Sequence, residues 1–256
     1  MRKLLNIISI MLLTLPAFSQ KAKVNHLTTF DDKLIHFGFT LGLNTLDFSV
    51  AHYNPIGNNP AFADSDFSGW LSGEQQIGAS DYVRAGVARL IPGFTVGIIS
   101  SLRLSNDLDL RFLPGISFGE RLLYYNIPVY DTDRINPQPF YSVKSTFLDF
   151  PLLIKYKARR INNDRPFVIF GGAYREDISR TGKDDLVRLN NGSFYAEIGG
   201  GWDHYFTFFR FSVEAKFSFG LNNIISGPPT ENQRQFYSHA IKELRSDIFT
   251  LSFHFE

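Results

Sequence analysis

The six histidines are the side chains of this sequence best suited to acid–base chemistry, and no catalytic motif surrounds them. They are His26, His36, His52, His204, His239 and His254. No His-Glu-x-x-His sequence occurs, although a zinc-dependent hydrolase of that type needs both histidines on one helical face. No nucleophile elbow that contains a serine is predicted. We therefore expect hydrogen-bonding roles for the histidines, no catalytic residues and no enzymatic activity.

Metal binding is not predicted either. Two Asp-rich stretches, Asp64-Ser65-Asp66 and Asp131-Thr132-Asp133, carry the oxygen ligands that calcium prefers. Neither has the spacing or the terminal Glu of a calcium-binding EF-hand loop, so we interpret them as solvated loop carboxylates. The chain contains no Cys, which excludes disulfides, thiolate metal sites and Cys nucleophiles. We predict no metal and no other cofactor.

Many of the remaining charged residues alternate with apolar residues, as they do in β-strands. The clearest case is residues 209–221 (FRFSVEAKFSFGL), where Phe, Val, Ala and Leu alternate with Arg, Ser, Glu, Lys and Gly. A helix would instead repeat its apolar residues every three or four positions. Seven further strands are predicted, at 36–50, 94–105, 108–119, 146–158, 166–175, 194–203 and 248–256. Six of them show this alternation, whereas residues 166–175 are apolar on both faces, which leaves their orientation open. In the first of them, a change of phase at Leu46 indicates a bulge.

The connections between these strands indicate a membrane barrel. Short turns follow the second, fourth and sixth strands. Long loops follow the other strands, at about 51–92, 120–142, 176–193 and 223–246. Outer-membrane barrels combine an even strand number with tight periplasmic turns and long extracellular loops. The sequence therefore predicts an all-β protein, an eight-stranded antiparallel transmembrane β-barrel with short periplasmic turns and long extracellular loops. Within the first loop, residues 79–90 suggest a short helix.

One face of most strands is apolar, and the other carries the charges. We predict that the apolar face contacts outer-membrane lipid and that the charged face lines the interior. An eight-stranded barrel has room inside only for side chains, and buried charges need partners. Five basic and five acidic residues form the predicted polar network of the barrel interior, which indicates a plugged barrel. They are Arg103, Asp109, Arg111, Asp149, Lys155, Glu197, Asp203, Arg210, Glu214 and Lys216.

A secreted, soluble, lipocalin-like barrel is the alternative fold, because it also has eight strands. In that fold the apolar face would point inward and the charged face outward. The alternation of short and long connections favours the membrane barrel, as do strands rich in Phe in a chain that holds 26 of them.

The N-terminus predicts export. Arg2 and Lys3 precede a short apolar run, and Ala17-Phe18-Ser19 is typical of a cleavage site for a secretory signal peptide. The alternative is a transmembrane anchor, but the apolar run is too short to span a membrane as a helix. Loss of Arg2 and Lys3 lowers the basic count from 26 to 24 against 25 acidic residues. This balance predicts no nucleic-acid partner.

Three regions follow from this reading of the chain. We expect residues 1–19 to be a cleaved signal peptide, residues 20–35 a periplasmic N-terminal segment and residues 36–256 the barrel. The expected location is the bacterial outer membrane.

Three stretches resemble a known family. They are FDDKLIHFGFTLGLNTLDF (30–48), GFTVGIISSLRLSNDLDLRFLPGISFGER (93–121) and FLDFPLLIKYKARRINNDRPFVIFGGAYREDI (147–178). The last two are similar to outer-membrane β-barrel proteins of one bacterial phylum in general. The first, together with the overall length, resembles the PorT family, also called SprT. That family consists of small outer-membrane barrels of type IX secretion in gliding and protein-secreting Gram-negative bacteria.

The resemblance implies a non-enzymatic role in assembling or supporting the type IX secretion apparatus, with other secretion-apparatus proteins as partners. It supplies no catalytic residues. Two other functions stay open at this point. One is a stand-alone surface barrel for adhesion or for binding lipid or another ligand, and the other is a barrel hydrolase.

The last strand is the expected insertion signal. Phe249, Leu251, Phe253 and Phe255 form an apolar row at the end of the chain, where we expect the barrel assembly machinery to bind. Replacing Phe253 and Phe255 by Ser should leave the protein in the periplasm, where it is degraded. Cell fractionation and immunoblotting measure the outer-membrane yield. An unchanged yield would remove the last strand from this role.

Overall fold

The computed structural model describes residues 24–60, 78–129, 138–179, 187, 189–226 and 240–256. The predicted signal peptide, the start of the predicted periplasmic segment, His239 and both Asp-rich stretches lie outside the described residues. The described helices are two three-residue 3-10 segments, Phe30–Asp32 and Ile56–Asn58. No described helix is long and apolar enough to cross a membrane.

Nine antiparallel strands form one sheet. They are β1 (Ile35–His52), β2 (Ala85–Arg103), β3 (Leu108–Phe112), β4 (Gly115–Val129), β5 (Gln138–Lys157), β6 (Asp164–Asp177), β7 (Gly192–Tyr205), β8 (Arg210–Gly220) and β9 (Ile241–Phe255). β1 pairs with β9 on one side and with β2 on the other, so the sheet closes into a ring. β3 and β4 both pair with β2 and β5, and together they occupy one position in that ring. The predicted eight-stranded antiparallel barrel is therefore confirmed.

Pro114 interrupts the strand that β3 and β4 share. Proline has no backbone N–H to donate to a strand ladder. Its carbonyl oxygen still accepts a hydrogen bond from Ile98 N at 2.9 Å, and Leu113 N donates to Pro151 O at 3.2 Å. The chain thus stays within the ring while the regular ladder is broken.

The predicted alternation of connections is also confirmed. Three short connections lie at one end of the barrel, at 104–107, 158–163 and 206–209. Four longer ones leave the other end, at 53–84, 130–137, 178–191 and 221–240. We call these the turn end and the loop end, and in outer-membrane barrels the turn end faces the periplasm.

Large apolar side chains cover the outside of the barrel. Phe37 is 68% exposed, and Ile98 and Phe194 are each 60% exposed. Phe39 and Phe255 stack across neighbouring strands, with ring centroids 4.8 Å apart. Charged residues on the opposite faces of the strands are buried. The lipocalin-like alternative is wrong, because a soluble barrel would bury the apolar face and expose the charged one.

β1 shows where the barrel leaves the lipid. Its side chains keep alternating up to Ala51, where the register with β9 shifts. The predicted bulge at Leu46 is therefore wrong, since Leu46 and Phe48 are buried in the unbroken phase of the inward-facing residues. Asp47 points outward between them. Up to Leu43 the apolar side chains of β1 point outward, and from Leu46 onward they point inward. The reason is that water contacts the exterior of the barrel toward the loop end, where the interior is an apolar core.

Several strands continue beyond the apolar band at the loop end. β2 begins at Ala85, β4 continues to Val129 and β5 begins at Gln138, so much of the predicted long loops is strand. The predicted helix over 79–90 is wrong, because its second half belongs to β2. Register shifts after Val87 interrupt the pairing of β2 with β4. These shifts break the period of two from which a strand is predicted.

An apolar cluster fills the interior of this extension. Its members are Phe48, Ile56, Val83, Ala85, Leu123, Tyr125, Val143, Val187, Leu189, Ile224, Ala240, Ile241 and Leu244. Val187 and Leu189 come from the loop after β6, and Ile224 comes from the loop after β8. Asn190 N donates to Ile224 O at 2.7 Å and joins the two loops. The loop end is thus closed by an apolar core.

Substitutions on the outer face of β1 test where the lipid ends. Leu43 and Ala51 both point outward, but only Leu43 lies within the apolar band. We expect Leu43→Arg to lower the free energy of unfolding in lipid vesicles by roughly 1–2 kcal/mol, because it places a charge in hydrocarbon near the edge of the apolar band, where the cost is smaller than at the midplane. Ala51→Arg is the control and should have little effect. Urea titration read by heat-modifiable migration on gels measures both, and equal losses would contradict this boundary.

Candidate functional site

Nine of the ten charged residues predicted for the interior are buried inside the ring. They are Asp109, Arg111, Asp149, Lys155, Glu197, Asp203, Arg210, Glu214 and Lys216. Arg103 differs because it is the last residue of β2 and lies at the turn-end rim. Its guanidinium donates to Asp32 O at 3.1 Å, and its side chain is 25% exposed. Arg103 therefore belongs to the rim and not to the interior network.

Direct ion pairs hold the interior charges. Lys155 Nζ lies 2.7 Å from Asp203 Oδ2, and Arg111 Nη1 lies 2.6 Å from Glu214 Oε2. Ser212 donates a further hydrogen bond to Asp203 at 2.6 Å. Breaking a pair at this depth would leave an uncompensated buried charge. Each of these side chains therefore depends on its partner on another strand.

A second group of charges joins five strands. Arg175 on β6 donates to Glu197 on β7 at 2.5 Å and to Asp149 on β5 at 2.9 Å. Lys216 on β8 lies 2.9 Å from the other Glu197 oxygen. Ser117 on β4 donates to the second oxygen of Asp149. The group therefore links the barrel wall across its width.

The sequence prediction omits several interior cations, among them Lys157 and Arg175. Lys157 pairs with Asp109 at 2.6 Å, and it lies two residues after Lys155 on the same face. Arg175 lies on a strand whose apolar residues occupy both faces, which conceals its orientation. Asp177 lies two residues after Arg175, and residues two apart on a strand share a face. This spacing is the sequence signal that could have identified both charges as members of one face.

Asp31 closes the interior at the turn end. Its carboxylate accepts a hydrogen bond from the Tyr205 hydroxyl at 2.7 Å and lies 3.2 Å from Arg165 and 3.5 Å from Arg210. Arg210 also pairs with Glu256 at 2.6 Å. The N-terminal segment thus supplies an anion to a cluster formed by strands from the far end of the sequence.

The same segment is hydrogen-bonded to the turn between β5 and β6. His26 N donates to Asn163 Oδ1 at 2.9 Å, and Asn163 Nδ2 donates to Val24 O at 2.9 Å. Arg160 donates to His26 O at 2.5 Å, and its guanidinium lies 3.7 Å from the Tyr205 ring centroid. We call the described residues 24–34 the plug.

Arg121 separates the ionic interior from the apolar cluster. It is fully buried and donates to Ser246 at 2.5 Å. Its guanidinium lies 4.0 Å from the Phe48 ring centroid and 5.7 Å from that of Phe147. Aromatic faces attract a cation, so these rings stabilise the charge. Sequence reasoning missed Arg121 because it assigned residues 120–142 to a loop.

Little space remains inside the described barrel. A cavity of about 30 Å³ lies among the charged groups and is lined in part by Asp149, Arg175 and Glu214. That volume holds about two water molecules. The plug covers the turn end and the apolar cluster covers the loop end. The described interior therefore offers no passage to a solute.

The buried histidines have structural partners. The His36 ring stacks on Phe30 with centroids 4.3 Å apart, and His254 Nε2 lies 3.4 Å from Glu214. Thr40, rather than His36, lies opposite His254 in the pairing of β1 with β9. The two histidines therefore do not share one site.

Ser117 lies in the sequence Gly-Ile-Ser-Phe-Gly at 115–119. This sequence matches the Gly-x-Ser-x-Gly motif of a nucleophile elbow. Ser117 is buried within β4 and donates to Asp149. A nucleophile elbow instead exposes its serine on a strand-to-helix turn. Among the residues that the structure describes, no group of three His, Asp or Glu is arranged to hold a metal ion.

The outer membrane protein beta-barrel domain family matches residues 18–226 of the sequence. The chain belongs to this family. Membership places the protein in the outer membrane, and the apolar exterior of the ring agrees with that location. No protein with a curated description matches the chain.

Solved outer-membrane proteins resemble the chain at low sequence identity. Neisserial surface protein A is 8% identical, with 87% of this chain and 98% of that chain covered and a TM-score of 0.43. OprG from Pseudomonas aeruginosa is 12% identical, with 86% and 93% covered and a TM-score of 0.47. Ail, the attachment invasion locus protein of Yersinia pestis, is 8% identical, with 86% and 96% covered and a TM-score of 0.31.

The Lys155–Asp203 pair provides a test of the interior network. We expect Asp203→Asn to lower the free energy of unfolding by about 3–5 kcal/mol, because Lys155 then stays buried without its carboxylate. The double variant Lys155→Met/Asp203→Leu should recover most of that loss, since neither side chain is charged. Urea titration in vesicles measures both variants. If the double variant is as unstable as Asp203→Asn, the loss of stability comes from altered packing and not from an unpaired buried charge.

Proposed function

We propose that this outer-membrane barrel is a non-enzymatic component required for type IX protein secretion, where it supports or helps to assemble the secretion apparatus. The observation that carries the supporting role is the sealed interior, because a barrel filled by ion pairs and closed at both ends does not conduct a protein. The secretion pathway itself comes from the resemblance of residues 30–48 to the PorT family. Export by a cleaved signal peptide at residues 1–19 is part of the proposal.

The turn end is the surface that we assign to the secretion partners. The PorT-like stretch, residues 30–48, includes the 3-10 helix of the plug and most of β1. The plug is held by Asp31, Asn163 and Arg160 at the turn end, the end that faces the periplasm in outer-membrane barrels. Ile161, at the tip of the neighbouring turn, is 67% exposed. A rigid surface with exposed apolar residues at its turn tips suits a stable protein contact.

Lipid and the insertion machinery complete the expected partners. Outer-membrane lipid surrounds the apolar band, and the barrel assembly machinery binds the row from Phe249 to Phe255 on β9. Nucleic acid is not a partner in this proposal. No catalytic step is assigned, because the described histidines and Ser117 are engaged in contacts that stabilise the barrel or its surface.

A stand-alone surface barrel for adhesion or ligand binding is the second candidate function. The extension at the loop end supports it, because β1, β2, β4, β5 and β9 project beyond the apolar band around their own apolar cluster. Such a projection carries the loops away from the membrane, where an extracellular ligand can reach them.

A clean deletion tests the secretion role. We expect type IX cargo to disappear from the culture medium and to accumulate unprocessed in the periplasm, while export across the inner membrane continues. Mass spectrometry of the medium and of the periplasmic fraction measures both, and a plasmid copy of the gene should restore secretion. Normal cargo levels in the medium of the deletion strain would contradict the role and favour the stand-alone barrel.

Complementation with surface variants separates the two ends of the barrel. Ile161→Asp changes an exposed apolar residue at the turn end, and Leu90→Asp changes one that is 49% exposed toward the loop end. Only Ile161→Asp should reduce secretion, with both proteins present at wild-type level in the outer membrane. Loss of secretion with Leu90→Asp alone would place the partner contact at the loop end.

A further inference from the structure

A groove lies on the outer surface of the barrel, at the loop-end edge of the apolar band. It has a volume of about 310 Å³, and residues of β2, β4 and β5 line it, among them Phe94, Phe118 and Lys144. The Phe94 and Phe118 rings stack with centroids 4.7 Å apart and are 51% and 37% exposed. Phe94 pairs with Leu43 of β1, which lies at the same edge. The first aromatic pair, Phe94 and Phe118, is therefore in contact with lipid.

A bulge in β2 shapes this groove. Where β2 advances three residues, from Ile91 to Phe94, β4 advances only two. Pro92 and Gly93 lie in this interval and line the groove. A bulge bends the strand that carries it, and these two residues are too small to fill the space beside the first aromatic pair.

Arg89 and Lys144 place positive charge beside the groove. Lys144 on β5 lies one outward row beyond Phe118, and Arg89 on β2 lies one row further toward the loop end. Both side chains are exposed. Within the part of the chain that the structure describes, neither forms an ion pair. Arg245, another outward cation at this end, pairs with Glu243 at 2.5 Å.

Glu120 does not neutralise Lys144, although the two residues lie directly opposite each other. The Ser142 hydroxyl instead donates to Glu120 Oε1 at 2.5 Å. Ser142 lies one outward row closer to the loop end than Lys144, so this hydrogen bond directs the carboxylate away from the apolar band. The Lys144 ammonium is thus available to an anion that approaches from the lipid.

A second aromatic pair, Tyr124 and Phe140, lies beyond the cations. The two residues are directly opposite each other on β4 and β5, with ring centroids 5.8 Å apart. They are 45% and 43% exposed. Gly86 lies opposite Tyr124 on β2, and no described atom lies within 4 Å of where its Cβ would be. The second aromatic pair therefore has open space beside it, and the negative face of an aromatic ring attracts the C–H groups of a sugar ring.

We propose that this surface binds a phosphorylated glycolipid of the outer leaflet, such as lipid A. Its acyl chains lie on the first aromatic pair, its phosphates bind Lys144 and Arg89, and its sugars lie against the second aromatic pair. The three layers of the surface, apolar, cationic and aromatic, thus follow the order of acyl chains, phosphates and sugars from the bilayer to water. The loop end of an outer-membrane barrel faces the outside of the cell. The inference is independent of the role in secretion.

Binding of defined lipids to the wild-type barrel tests this match. The barrel in detergent micelles is titrated with diphosphorylated lipid A, with the same lipid A after removal of both phosphates, and with phosphatidylglycerol. Native mass spectrometry measures the fraction of barrels that carry one lipid. Diphosphorylated lipid A should bind about threefold to tenfold more tightly than the dephosphorylated form, a modest factor because both cations are exposed. It should also bind more tightly than phosphatidylglycerol, which has a phosphate but no sugar ring.

Two lysine substitutions connect the preference for phosphate to the groove. Lys144→Gln should reduce that preference by about twofold to fivefold, because it removes one exposed cation. Lys242→Gln is the matched control, since Lys242 is an exposed lysine near the loop end of β9 and does not line the groove. It should retain the preference. Heat-modifiable migration confirms that each variant is folded.

Three results would overturn the proposal. The first is equal binding of the two forms of lipid A by the wild-type barrel. The second is equal binding of phosphatidylglycerol and diphosphorylated lipid A, which would leave the sugars without a role. The third is an equal preference for phosphate in Lys144→Gln and Lys242→Gln. The first two comparisons require no substitution, so they decide the proposal even where Lys144→Gln fails to fold.

Discussion

The pairing of β1 with both β9 and β2 is the interaction on which the rest of the structure depends, because a closed ring leaves no strand edge in the lipid. Because the ring has eight strand positions, its interior is just wide enough to be filled by side chains. The strands approach so closely that a Cβ added to Gly199 would lie 2.4 Å from Ala215 O. Every inward side chain must fit this narrow volume, and every inward charge must find a partner there.

The interior ion pairs in turn make the strand register specific. Lys155 and Asp203, like Arg111 and Glu214, join different strands. Slipping one strand by a single residue would turn its charges toward lipid and its apolar residues inward. Desolvation offsets much of the attraction within each ion pair, so the pairs contribute little net stability. Their larger effect is to destabilise a barrel whose strands are paired in the wrong register.

The lipid-facing part of this fold was predictable from sequence, whereas its two ends were not. Between the membrane boundaries one physical rule holds, apolar outside and charged inside, and it identifies residues such as Lys155 and Glu214. At the loop end water replaces lipid, and the apolar residues move to the inner face, as Leu46 and Phe48 do. At the turn end, Asp31 contacts Arg210 across 179 positions of sequence. Such a contact follows from closure of the ring and leaves no periodic pattern.

The plug connects the segment before β1 to strands on the other side of the ring closure. Its binding surface is built by Arg165, Tyr205, Arg210 and Glu256, which lie on separate strands or at the end of the chain. These groups come from β6, β7, β8 and the residue after β9, whereas Asp31 lies in the segment that leads into β1. Since β1 pairs with β9, the ion pairs of Asp31 span the junction at which the ring closes. The plug therefore reinforces that junction from the inside, in addition to the backbone hydrogen bonds between β1 and β9.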